Sequence, residues 1–187
     1  MKIRYFSLLA ALGAVAPAHA AVTVLGNGLA AGCYQAAEFG ADPKTGIATC
    51  TNALGDENLT VQDRAATYVN RGILKARFGN TAGALADCDQ GLSLNARMGE
   101  GYVDRGTVLM VLQRYPDALA DINRGISMGA HKPQIAYYDR AIVNEAMGDV
   151  RGAYLDYKKA IEIEPDFALA HTQLARFKVI RRGDAAQ

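Results

Sequence analysis

The sequence predicts an all-α fold, a stack of antiparallel helical hairpins, and three observations lead there. The first is a recurring segment: Tyr68-Val-Asn-Arg-Gly72, Tyr102-Val-Asp-Arg-Gly106 and Tyr137-Tyr-Asp-Arg-Ala141. Gly72 and Gly106 lie 34 residues apart, and Gly106 and Ala141 lie 35 apart. The second is a downstream echo. Ala84-Leu-Ala-Asp87, Ala118-Leu-Ala-Asp121 and Ala153-Tyr-Leu-Asp156 are followed by Gly91-Leu92, Gly125-Ile126 and Ala160-Ile161. The third is helical apolar spacing interrupted at fixed points by turn residues. A period of this length holds two helices and two turns. One such hairpin cannot bury its apolar face alone, so neighbours must stack on it.

Taken in order, the chain opens with a leader-like stretch over 1–20. Lys2 and Arg4 form a short positive region, an apolar run covers 6–16, and Ala18-His19-Ala20 reads as a small-x-small cleavage signal. The run is too short to cross a hydrocarbon core of about 30 Å, which needs about 20 apolar residues. A cleaved signal peptide is therefore expected, with a product in the periplasm of a Gram-negative bacterium or secreted. No membrane insertion is expected after cleavage. Removing Lys2 and Arg4 takes 20 basic residues to 18 against 19 acidic ones, which leaves a nearly neutral chain. That balance excludes a broad nucleic-acid surface. With 50% hydrophobic and 21% charged residues, the composition fits a packed domain.

Residues 21–60 read as an N-terminal hairpin, with helices over 29–38 and 44–54 around a turn at 39–43. Cys33 and Cys50 lie one on each helix. A disulfide here would stabilise the hairpin by about 3 kcal/mol on the chain-entropy estimate, and it fits an oxidising compartment. Two buried thiols or a metal pair are the alternatives, although two cysteines without a nearby histidine make a poor zinc site. Residues 61–182 hold three repeats, about 65–98, 99–132 and 134–167, and a last helix. The helices are expected over 61–77, 81–94, 102–112, 116–128, 134–147, 150–163 and 167–181. Thr60 and Asp63 form a capping pair for the first of these, and Pro116 suits a first helical position. The extra residue of the third period falls in the 128–133 connection, where a loop absorbs it. Residues 183–187 read as a disordered tail. Small residues at Gly72, Gly106, Ala141, Ala84, Ala118 and Ala153 let helix backbones approach closely, and Cys88 falls at a packing position.

The pattern resembles the tetratricopeptide repeat, with its aromatic, glycine, alanine and late proline positions at the expected offsets over about 65–167. Only Pro165 keeps that late proline; Ala96 and Ala130 stand elsewhere, and Lys75, Leu109 and Asn144 replace a frequent tyrosine. The resemblance implies a right-handed superhelical α-solenoid with a solvating C-terminal cap, and the 29–54 hairpin as a degenerate fourth unit. It also implies a concave groove lined by the first helix of each repeat. Those positions are Val69, Asn70, Ile73 and Arg77, then Val103, Asp104, Thr107 and Met110, then Tyr138, Asp139, Ile142 and Glu145. The last helix adds Gln173 and Arg176. The variant that clamps a C-terminal carboxylate is disfavoured, because Asn70 alone matches it and Asp104 and Asp139 carry the wrong charge. An apolar, mildly acidic groove suits an extended or helical segment with basic and apolar residues.

Each repeat also pairs an arginine before its small residue (Arg71, Arg105, Arg140) with an aspartate on the second helix (Asp87, Asp121, Asp156). Carboxylates supplied at matching spacing predict bidentate structural ion pairs, across or between hairpins, rather than an anion site. No catalytic residue, metal site or cofactor is expected. His131 and His171 share no ligand spacing, and HExxH, P-loop, GxSxG and CxxC motifs are absent from the sequence. The function expected is a non-catalytic scaffold or assembly factor that binds a protein or peptide segment, as a monomer or weak oligomer. A self-associating subunit of an envelope complex and a small enzyme or carrier with a site between repeats are the alternatives.

Overall fold

A computed structural model describes residues 2–5, 21–24, 28–40, 42–56 and 58–180. Among them run β1 (Lys2–Tyr5), α1 (Leu29–Phe39), α2 (Pro43–Asp56), α3 (Val61–Arg77), α4 (Thr81–Leu94) and α5 (Gly99–Val111). They continue as α6 (Tyr115–Ser127), α7 (Pro133–Ala146), α8 (Val150–Ile163), α9 (Ala168–Leu174) and β2 (Phe177–Ile180). Apart from residues 2–5, the expected leader lies outside the described residues, as does the expected tail.

The described residues form two compact units, one of 21–132 and one of 133–180 with 2–5. In the first, α1 pairs with α2, α3 with α4 and α5 with α6, and α2 and α4 each pack onto the hairpin that follows. The N-terminal hairpin thus packs against α3, in the same compact unit as α3 to α6. In the second, α7 pairs with α8, which carries α9 and a contact with β1. The boundary falls in the connection that holds the extra residue.

Local chemistry explains the helix ends. The Thr60 hydroxyl accepts from the Asp63 N–H at 3.1 Å and donates to the Asp63 carboxylate at 2.6 Å. Asn80 and Asp149 cap α4 and α8 by accepting from the N–H groups of Gly83 and Gly152. α5 begins three residues before the expected Tyr102. Gly99 and Gly101 have low intrinsic helix propensity, yet here they are contact residues. A Cβ on Gly99 would meet the Gly125 carbonyl oxygen at 3.2 Å, and one on Gly101 would meet the Met98 Cε at 2.8 Å.

The helices touch where the small residues allow it. A Cβ on Gly72 would lie 3.0 Å from both the Ala84 carbonyl oxygen and Cys88 Sγ. Facing Gly106 are Ile122 and the Ala118 carbonyl oxygen, and facing Gly125 are Val103 and the Gly99 carbonyl oxygen. Cys88, Ile122 and Tyr157 fill one repeat position, and all three are fully buried.

The end of the chain departs from expectation. A capping helix was expected over 167–181, but α9 spans only Ala168–Leu174 and the chain then becomes β2. Lys2 to Tyr5 pair antiparallel with it, Lys2 opposite Ile180 and Tyr5 opposite Phe177. Phe177, Val179 and Ile180 are aromatic and β-branched, which favours a pleated strand over a helix end. The Phe177 ring packs 5.8 Å from Tyr154 and 5.9 Å from Tyr157. Among the described residues, the helices are thus joined by one short two-stranded ribbon.

Candidate functional site

The expected groove residues of the repeats lie on α3, α5 and α7, and few of them are open. In the first unit α3 and α5 touch. On α3, Val69 and Asn70 are fully buried and Ile73 nearly so; on α5, Val103, Asp104, Thr107 and Met110 are buried as well. Arg77 is the exposed member, and its Nη1 donates to the Ala37 carbonyl at 2.5 Å. Burial lowers the basicity of Arg77, opposed by the charges of Asp104 and Glu38. Lys132 forms an ion pair with the same Glu38, which ties the end of α1 to the connection after α6.

The sequence reading missed what holds Asn70. Residues 21–24 lie against α3 through Asn70, with Ala21, Val22 and Val24 buried and Thr23 exposed. The Asn70 side chain takes both polar groups of one residue. Its Oδ1 accepts from the Val22 N–H at 2.8 Å, and its Nδ2 donates to the Val22 carbonyl at 2.8 Å. The signal in the sequence was the alternation Val22-Thr23-Val24, too short to stand out before a helix. A cavity of about 230 Å³ flanks this segment, lined in part by Val22, Thr23, Ala66, Met98, Glu100 and His131. Glu100 accepts from the His131 backbone N–H, and His131 Nδ1 lies 2.8 Å from its Oε1.

In the second unit, Tyr138 and Asp139 are fully buried and Ile142 and Gln173 nearly so. Glu145 accepts from the Tyr157 hydroxyl at 2.7 Å and from Arg176 at 2.9 Å. Burial pushes the Glu145 carboxyl above its usual value, opposed by the Tyr157 hydrogen bond. Burial, with Asp139 and Glu145 close by, pushes the Tyr138 phenol up to about 12.

The arginine–aspartate pairs are bidentate and lie within hairpins. Arg71 meets Asp87 at 2.8 and 2.8 Å, Arg105 meets Asp121 at 2.7 and 2.9 Å, and Arg140 meets Asp156 at 2.8 and 2.7 Å. Arg71 also reaches Thr51 on α2 at 3.2 Å, and Arg105 reaches Asp89 on α4 at 2.8 Å. Each guanidinium also sits over the tyrosine three residues before it. The hydrogen bond to its aspartate raises the basicity of each arginine. A cavity of about 310 Å³ opens beside Arg105 and Arg114, but Asp89, Asp121 and Asp117 already pair with them. Cys33 and Cys50 form a disulfide with both residues fully buried. Cys88 keeps a buried thiol whose pKa is pushed well up by desolvation. No group of three or more metal-binding side chains occurs among the described residues.

No family model matches the sequence, and no curated protein matches it. Solved structures do. The first tetratricopeptide domain of Spaghetti (RPAP3), bound to the HSP90 peptide SRMEEVD, is 19% identical with a TM-score of 0.57. That match covers 61% of this chain and 90% of the other. MamA is 19% identical with a TM-score of 0.61, over 80% of this chain and 82% of its own. YrrB, described as a tetratricopeptide protein with an unusual peptide-binding site, is 20% identical with a TM-score of 0.59, over 76% and 70%. At these identities the likeness concerns the backbone, and it establishes that the chain has the tetratricopeptide-repeat fold.

Proposed function

We propose that the protein is a non-catalytic interaction scaffold, exported to the periplasm, that binds an extended segment of another protein along the first-helix face of its repeats. The observation that carries this is the grip of Asn70 on Val22: the face on α3 already holds the backbone of a non-helical segment by both its N–H and its C=O. RPAP3 holds an HSP90 peptide and YrrB has a peptide-binding site, which supports the same use of this fold. The leader pattern and the Cys33–Cys50 disulfide support export.

Asp104 and Asp139 are buried, so Asp104→Asn/Asp139→Asn is the variant that removes their acidity while keeping their shape. A photo-crosslinker placed at Met110 or Ile142 in the native envelope should capture a partner. The same crosslinker at exposed Lys158 should not. The double variant should reduce that capture about tenfold. Equal capture from Lys158, or none from the two groove positions, ends the groove reading. Mass spectrometry of the envelope protein should find Ala21 as the first residue, and an intact leader would remove the export claim.

A further inference from the structure

The α3 face of the groove is closed in the free chain, with Val22 held on Asn70. We propose that residues 21–24 are a resident occupant of the α3 face. On this proposal a partner binds by replacing them with an extended segment of like chemistry, small and β-branched. The proposal rests on the groove reading above.

Three observations carry it. First, Asn70 reads backbone, not side chain: its two hydrogen bonds go to the N–H and C=O of Val22. Any residue at that place except proline offers the same pair of groups, so the site accepts another chain segment without loss of these bonds. Second, what selects the occupant is size. Ala21, Val22 and Val24 turn into the unit's core beside Ala66, Val69 and Ile73, whereas Thr23 faces out. The side chains received there are small, and pockets of this size take alanine and valine better than aromatic or charged residues. Third, the cavity of about 230 Å³ beside Val22 and Thr23 leaves room at the ends of α3 and α5 for an incoming segment to engage first. A tethered occupant acts at high effective concentration and weakens the apparent affinity for an external segment by the fraction of time the site is closed.

The test uses the full chain and a fluorescein-labelled synthetic peptide of residues 21–28. Wild type should bind the peptide weakly. Val22→Glu/Val24→Glu, which ejects the resident segment and leaves the floor intact, should bind it at least tenfold more tightly. Adding Asn70→Ala to that variant should abolish the gain. Equal binding by wild type and the ejected variant, or no binding by either, overturns the proposal. If the ejected variant does not fold, hydrogen exchange on wild type decides. Saturating peptide should speed exchange at the Val22 amide, and protection equal to that of the α3 core amides overturns the proposal. Partner crosslinking at Met110 and Ile142 with Val22 still protected would keep the scaffold function and reject the resident occupant.

Discussion

Glu145 shows how a single residue changes meaning once its surroundings are known. In the sequence it is one acid of a mildly acidic groove. In the structure it takes hydrogen bonds from Tyr157 and Arg176 within a partly buried cluster. Its raised carboxyl pKa means that the folded chain holds this proton to higher pH than the unfolded chain does. The contribution of this group to stability is therefore fully present below about pH 4.5 and falls as pH rises through the folded value. We predict that the melting temperature of wild type minus that of Glu145→Gln is more positive at pH 4 than at pH 7. A constant difference across that range, measured by circular dichroism, would show that the carboxyl is not perturbed. Asn70 makes the opposite case. Its type and place matched a groove residue, but its partner, Val22, lies 48 positions earlier and no local pattern announces it. The three arginine–aspartate pairs were legible because recurrence in sequence implies recurrence in space. One ion pair between non-repeated positions, Glu38 with Lys132, was not.

At the level of elements, repetition exposes the weak hairpin. Gly79 and Gly148 turn α3 into α4 and α7 into α8 with φ of +85° and +84°. The equivalent residue between α5 and α6 is Gln113, held at φ +59°. A left-handed backbone costs an L-residue about 1–2 kcal/mol, part of which glycine returns through its freer unfolded chain. The neighbouring cap is missing too: Asn80 and Asp149 cap their helices, whereas Arg114 makes no such bond and pairs with Asp117 instead. Gln113→Gly should therefore stabilise the protein by about 1 kcal/mol, and Gly148→Ala should destabilise it by at least as much. Urea unfolding of the two variants checks both signs together, and a destabilising Gln113→Gly would refute the argument. The helix limits of α3, α4 and α8 could be read from the sequence because caps and turn residues mark both ends. The start of α5 could not, because the low helix propensity of Gly99 and Gly101 is offset only by close neighbours that the sequence does not show. The end of α9 could not either, because the strand that replaces it depends on pairing with residues 2–5.

That pairing leads to a consequence for the whole molecule. β2 has β1 as its antiparallel partner, and β1 belongs to the stretch expected to be removed on export. If the leader is cleaved after Ala20, Phe177–Ile180 keeps the contacts of Phe177 with Tyr154 and Tyr157 but loses its strand partner. A lone four-residue strand has no ladder to protect its amides. The full-length chain and the protein recovered from the envelope should therefore differ in hydrogen exchange at 177–180. Exchange there should be slow with residues 2–5 present and near that of an open segment without them. The α8 amides should stay protected in both forms, because α7 packs on that helix independently of the ribbon. Slow exchange at 177–180 in both forms would mean that the strand is held by something other than β1. Equal fast exchange would mean that the ribbon does not persist in solution. The N-terminal stretch then serves the two units differently: residues 2–5 extend the second by a strand, whereas residues 21–24 remain after cleavage to occupy the face of the first.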